Sequence, residues 1–439
     1  MVLLQNFINI FSVPELRKKL LFTLGILVVY RFGVHIPVIG VDINALQQLL
    51  ERAKGLGSFF GYLDMFSGGS LKNCTLFALG ISPYITSSIV MQMLGMTIPS
   101  LEQLLKEGEY GRKIVNQYTR YLTFAVSIFH SFTYALILER NGMVMEPGWS
   151  FRLLFILSLT VGSMFVMWLG EQISLFGVGN GSSMIIFAGI VAHYPDDLMK
   201  TLYQVQEGIM DPLVALFILA VVIAITAIIV FLERGERKVP VQYTRRIVGQ
   251  RVYGGQSTYI PFKLNTPGVM PVIIASAVLQ MPIFLISMLA DRISVFKWLG
   301  ENVLSPVSIP FNVIDFILII CFSFMYTAMI YNPEELAENI KKSGGFIPGI
   351  RPGKQTAEFF YYILTRIGFV GALYLASLAV IPNFLTMMIQ MPFYLSGTGL
   401  LIVVGVTLEM ASQIEAYLIE HRYDGFLTSG SRLKGRGAR

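Results

Sequence analysis

The 439-residue sequence predicts an all-α integral membrane protein with ten transmembrane helices in two inverted five-helix halves, and three observations carry that prediction. Hydrophobic residues make up 54% of the chain and charged residues 14%, with a mean hydropathy of +0.64. Soluble domains run at about 45–50% and about 25%. Apolar stretches of about twenty residues, the length that crosses a bilayer, recur along the whole chain. Lys and Arg are spread unevenly over the segments between those stretches.

The stretches fall near residues 20–38, 75–94, 118–138, 151–170, 183–195, 213–232, 268–290, 313–331, 367–389 and 398–418. The first follows Arg17, Lys18 and Lys19 and has no small-residue cleavage site after it, so it reads as a retained helix. Between the first and second spans, Gly57 to Leu94 reads as a broken helix. A short apolar piece, Phe59 to Phe66, stops at Ser67-Gly68-Gly69-Ser70, with Asp64 and Asn73 adding polar groups, and a longer helix is expected from Thr75 to Leu94. In lipid such a break is tolerated only where it is buried in protein or lines a watery cavity. It therefore marks either a transport path or an ordinary re-entrant turn. The fifth span is short and is entered through a second break, Gly177-Val178-Gly179-Asn180-Gly181, which lacks the strand and the spacing of a dinucleotide fingerprint.

With the amino terminus placed inside, 24 Lys and Arg fall on the inner segments and 8 on the outer ones, with Arg31 in the first span. The bias puts both termini in the cytoplasm. Five spans precede the polar stretch His193 to Asp211 and five follow it, so the second half enters from the opposite side. That is the arrangement of an inverted repeat. The expected divisions are an N-terminal half 1–195, a connecting hinge loop 196–212, a C-terminal half 213–418 and a basic tail 419–439.

Two inner loops are too long and too ordered to be simple connectors. The first, 233–265, places β-branched and tyrosine residues around Arg245, Arg246 and Arg251 and reads as a basic hairpin. The second, 332–366, opens with Asn332-Pro333-Glu334-Glu335, a helix start with acids at its positive end. It stops at Gly344-Gly345, turns through Pro348 to Gly353 and starts again toward the ninth span.

Enzyme chemistry finds no support. The four histidines have no ligand spacing among themselves or with Cys74 and Cys321, which are expected to be free buried thiols. Gly353-Lys354 resembles the end of a P-loop, but Pro348 and Gln355 break the pattern. Ser87-Ser88 and Ser182-Ser183 have no base nearby and read as packing contacts. Arg31 lies near the outer end of its helix and is expected to snorkel, Glu171-Gln172 sits at an inner helix end, and Glu409 is the only carboxylate placed well inside a span. Gln92 and Gln280 read as interhelical hydrogen bonds.

The motifs themselves resemble the bacterial SecY family. They are Asp64-Met-Phe-Ser-Gly-Gly69, Phe77-Ala-Leu-Gly-Ile81 with Pro83-Tyr84-Ile85, Glu107-Gly-Glu109 with Gly111-Arg112, and Gln117-Tyr-Thr-Arg-Tyr121. Further along stand Trp168-Leu-Gly-Glu-Gln172, Gly179-Asn-Gly181, Ile185 to Val191, Glu233-Arg-Gly235, Asn332-Pro333, Lys341-Lys-Ser-Gly344 and Phe346 to Gly353. The resemblance spans nearly the whole chain in order. It implies a passive protein-conducting channel of the bacterial inner membrane, with no cofactor and no catalytic residue, driven by the SecA motor or by the ribosome. Small membrane subunits SecE and SecG, signal sequences, unfolded polypeptides and lipid are its implied partners.

The resemblance also assigns residues. The broken piece becomes a re-entrant plug helix, about 60–72, carrying Phe60, Asp64, Phe66, Gly68 and Gly69. Ile81, Ile85, Ile186, Ile273 and Ile402 match an apolar pore ring. Such a ring excludes ions by dewetting, although any single isoleucine in a membrane helix is more often an ordinary lipid or core contact. Ser182 stands where relatives often place another pore-facing isoleucine. Ser87, Gln92 and Asn265 match a lateral gate, and Arg245, Arg246, Arg251 and Arg351 match the surface that docks SecA or the ribosome. The competing reading is an inverted-repeat secondary transporter, which would call for a charged site at mid-membrane and short inner loops.

Overall fold

The structure is a computed structural model that describes residues 13–43, 45–46, 64, 67–243, 246–248, 251–253, 257–289, 294–303, 308–389 and 396–433. Each of the ten apolar stretches holds a helix. In the first half these are α1 (Pro14–Gly33), α2 (Ser82–Thr97), α4 (Glu109–Arg140), α5 (Trp149–Phe176) and α6 (Gly181–Val191), with the short α3 (Pro99–Lys106) between α2 and α4. The hinge loop contains an unforeseen helix, α7 (Tyr194–Gln206). The second half carries α8 (Pro212–Glu233), α9 (Met270–Leu289), α11 (Ile309–Ile330), α13 (Lys354–Ile389) and α14 (Gly397–Leu433), plus the short α10 (Ser294–Asn302) and α12 (Pro333–Lys342). Helix starts follow the sequence chemistry: Asn180, Asp211, Ser308 and Asn332 each accept an amide of the first turn.

The chain forms two compact units, one of Met1–Met199, Phe284–Glu301 and Val406–Arg439, the other of Lys200–Ile283 and Asn302–Gly405. In the first unit, backbone approaches backbone closely at Gly162 and Gly181, the packing mode of membrane helices. A Cβ on Gly181 would overlap the Gly170 carbonyl, and one on Gly162 would overlap the Leu76 carbonyl. Along α4, Thr119, Thr123, Ser127 and Ser131 each donate to the carbonyl four residues earlier, so this buried polar stripe is satisfied within its own helix.

Three expectations need correction. The second span begins at Ser82 rather than Thr75, because the backbone before it bonds sideways: the Val38 amide donates to the Cys74 carbonyl (3.0 Å) and the Leu76 amide to Ile36 (2.9 Å). Cys74 itself holds a φ of +46°, outside helical space. Cys321 is free as expected but exposed, on the outward side of α11. Asp315 was overlooked as an intramembrane carboxylate: α11 starts at Ile309, which puts Asp315 in its second turn, buried, while Glu409 is exposed.

The second unit contains the two ordered loops, and they fold into one module. The hairpin is present: β1 (Glu236–Tyr243) pairs antiparallel with β4 (Ser257–Lys263), and β2 (Arg246–Val248) with β3 (Arg251–Tyr253). After α12, β5 (Gly345–Phe346) adds to the other edge of β1. Val239 and Val241 alternate inward with period two and meet Phe262, Ala337, Ile340, Ile347, Phe360, Ile363 and Leu364 in a core of their own. The Phe262 and Phe360 rings lie 5.6 Å apart. Phe360→Ala removes the ring that joins sheet to α13 and should cost about 3–5 kcal/mol of local stability. The check is faster protease cleavage of the 233–265 loop in membrane vesicles, with α13 still inserted.

Candidate functional site

The break after the first span is a knot of hydrogen bonds centred on Asp64. Its carboxylate is 1% exposed. Oδ1 accepts from the amides of Leu71 (2.9 Å) and Lys72 (3.1 Å) and from the Ser67 hydroxyl (3.3 Å), and the Lys72 ammonium stands 3.6 Å from Oδ2. Gly68 and Gly69 sit at φ +69° and +92°, left-handed backbone that favours glycine. A Cβ on Gly68 would also stand 3.0 Å from the Gly189 Cα on α6.

A broken helix leaves carbonyls without helical donors, and here side chains from other helices supply them. From α1, the Tyr30 hydroxyl donates to Ser67 O (3.1 Å) and the Arg31 guanidinium to Gly68 O (2.8 Å). From α4, the Tyr134 hydroxyl donates to Leu71 O (3.0 Å). His193 Nε2, beyond the end of α6, lies 3.4 Å from Asp64 O. Arg31 therefore does not snorkel; it grips the turn. Each bond contributes about 0.5–1.5 kcal/mol net, and the donors come from α1, α4 and the residue beyond α6. Phe60 and Phe66 lie outside the described residues.

The five isoleucines divide between the units. In the first, Ile81 caps α2 and is buried, and the half-buried Ile85 donates its amide back to Ile81 O. The Cδ1 atoms of Ile81 and Ile185 both approach the position of a Gly170 Cβ, at 3.3 and 3.4 Å, and Ile186 is buried beside Ile185. The Ser182 amide and hydroxyl both bond Asn180 Oδ1, so that serine is engaged in capping α6. The second break is stitched to three helices: Val178 N donates to Thr23 of α1 (3.1 Å), Gly181 N to Ser174 of α5 (2.9 Å) and Gly179 N to Gln413 of α14 (2.9 Å). In the second unit, Gly405 of α14 presses on Val269 just before α9. Ile273 lies one turn after Val269 and Ile402 one turn before Gly405, and both isoleucines are buried.

The remaining assigned residues are placed separately. Ser87 is buried and donates to Pro83 O of its own helix (2.7 Å). Gln92 is half-buried, its Nε2 3.5 Å from the Ser88 hydroxyl of the same helix, and the Gln280 side chain lies outside the described ones. Asn265 is buried and donates to Glu233 Oε2 at the end of α8 (2.8 Å). Arg246 opens β2 opposite Tyr253, Arg251 opens β3 opposite Val248, and Arg245 lies outside the described residues. Arg351 is exposed on the turn between α12 and α13.

Comparison with known proteins identifies the family. A family model described as SecY matches residues 75–411. The chain is 42% identical over 443 residues to the protein translocase subunit SecY of Thermus thermophilus, covering 99% of this chain and 100% of that one. It is 42% identical over 429 residues to the subunit of the same name from Escherichia coli K12, covering 96% of each. Among solved structures it is similar to one described as the structure of a protein conducting channel, with a TM-score of 0.66 and 20% identity over 91% of this chain and 92% of that chain. It is also similar to Sec61 in a canine ribosome-channel complex, with a TM-score of 0.61 and 19% identity over 91% and 92%.

Proposed function

The chain belongs to the SecY family of protein-conducting membrane channels, and from that membership we propose that residues 60–72 form the plug of a pore for unfolded secretory polypeptides across the bacterial inner membrane. Halves 1–195 and 213–418 move about the 196–212 segment to release apolar segments into lipid past Ser87, Gln92 and Asn265. Ile81, Ile85, Ile186, Ile273 and Ile402 form the dry waist. Both termini and the β1–β4 module are cytoplasmic. The module, with Arg245, Arg246, Arg251 and Arg351, receives SecA or the ribosome, whose ribosomal RNA attracts basic surface. SecE and SecG complete the channel in the membrane.

The observation that supports this reading best is the Asp64 knot, a segment too short to cross a bilayer yet held in the protein interior by side chains of other helices and by its own carboxylate. Asp64→Ala strips the acceptor from two amides and leaves each orphaned donor costing about 1–3 kcal/mol. The expected result is a higher resting ion conductance of reconstituted channels, with Asp64→Asn, which keeps one acceptor oxygen, leaking less. Deletion of 60–72 should leak most. Wild-type conductance after Asp64→Ala alone would remove Asp64 as the latch, and wild-type conductance after the deletion would remove the plug.

A further inference from the structure

α7 (Tyr194–Gln206) reverses the usual arrangement of an amphipathic helix. Its large apolar side chains point away from the protein: Leu198 is 58% exposed, Met199 57%, Leu202 56% and Tyr203 61%. Its half-buried positions are instead Tyr194, Asp197, Thr201, Gln204 and Val205. At 3.6 residues per turn the four exposed apolar residues lie together in one arc. A helix facing water would bury this arc and expose Asp197, Thr201 and Gln204.

The surroundings say what covers it. α7 joins the end of one membrane span, α6, to the start of another, α8, so it lies where spans meet the bilayer surface. Past the polar residues Gln206 and Glu207, exposed apolar side chains resume with Ile209 and, past Asp211 at the start of α8, with Leu213, Leu216 and Phe217. The apolar stretch of α8 is only 17% buried within the protein, so the helix that follows α7 faces lipid. Asp196 and Lys200, both exposed, border the apolar arc beside Tyr203. Charged and aromatic residues at the edge of an apolar face are the composition of helices that lie in the headgroup region.

We propose that α7 is an interfacial membrane helix whose Leu198, Met199, Leu202 and Tyr203 face inserts among phospholipid acyl chains just below the headgroups. The segment expected to act as a hinge loop is then anchored in lipid. Assigning it to the outer leaflet rests on the charge-derived topology above; its insertion does not.

The test uses the full chain with Cys321→Ser, which removes the exposed thiol and leaves buried Cys74 in place. A nitroxide on Leu202→Cys, and separately on Gln204→Cys, is read by power-saturation spectroscopy in phosphatidylethanolamine–phosphatidylglycerol vesicles. At position 202, collisions with oxygen should exceed those with a water-soluble nickel chelate several-fold. At position 204 both should be low. A spin at 202 relaxed mainly by the nickel chelate means a water-facing helix and overturns the proposal, and one shielded from both reagents means a protein cover and overturns it equally. Leu198→Cys, one turn earlier on the same face, provides the second reading if the label at 202 prevents insertion.

Discussion

Arg351→Glu is expected to abolish SecA-driven export while leaving the channel at normal abundance and normal thermal stability. The backbone around it is fixed without help from its guanidinium. Gly349 and Gly353 set the turn at φ +84° and +111°, Ile350 packs against the module core, and the Thr356 hydroxyl donates to the Arg351 carbonyl (3.0 Å). The exposed side chain is therefore available for docking. In the docking interface proposed above, reversing its charge would put like charges together, at a cost of several kcal/mol. Export of a secreted reporter by inverted vesicles, normalised to channel abundance, reads the effect. Failure of the variant to accumulate in the membrane would make Arg351 a structural residue.

Ile402→Asn is expected to give the second large effect, in the opposite direction. Ile402 is 0% exposed, and an amide at that position without a partner costs about 1–3 kcal/mol in the closed state. A wetted, open waist removes that penalty, so the equilibrium shifts toward opening by about tenfold for each 1.4 kcal/mol. Substrates with defective signal sequences should then pass. Ile228 of α8 is the control, being 48% exposed on a lipid-facing helix where the amide meets hydrocarbon in either state. Ile228→Asn should lower insertion and leave signal selectivity unchanged. Equal export of a signal-defective reporter from the two variants, after correction for abundance, would take Ile402 out of the pore.

The fold was legible where the physics is local. Span position, the Asn332 cap, the glycine stop at Gly344 and the hairpin of the 233–265 loop each depend on a few neighbouring residues, and each is found. The knot at Asp64 was half legible: the glycines marked a break, but Tyr30 and Tyr134 reach it from 37 and 63 residues away, a distance no periodicity encodes. Arg31 was the available signal, since an arginine inside an apolar span needs a partner, and the outer end of α1 offered water as the simpler one. The helix start at Ser82 was misread because apolar composition cannot distinguish a turn buried in protein from a helix in lipid. α7 was missed because its polar composition matches that of a loop, and only the burial of its polar side reveals what the helix is for.

The module core has a consequence for the order in which the chain is made. Val239 and Val241 pack against Phe360 and Ile363, about 120 residues later in the sequence. The β1–β4 hairpin is local and pairs early, but a two-stranded hairpin alone is marginally stable. At synthesis rates of about 5–20 residues per second, its inner face waits on the order of ten seconds for α12, β5 and the base of α13. During that interval Val239, Val241 and Phe262 have no core to enter, while α9 and α11 are being threaded into the bilayer. The apolar side of the β1–β4 module is thus bare for longest in the nascent chain, and the segment that leads into the ninth span brings the residues that cover it.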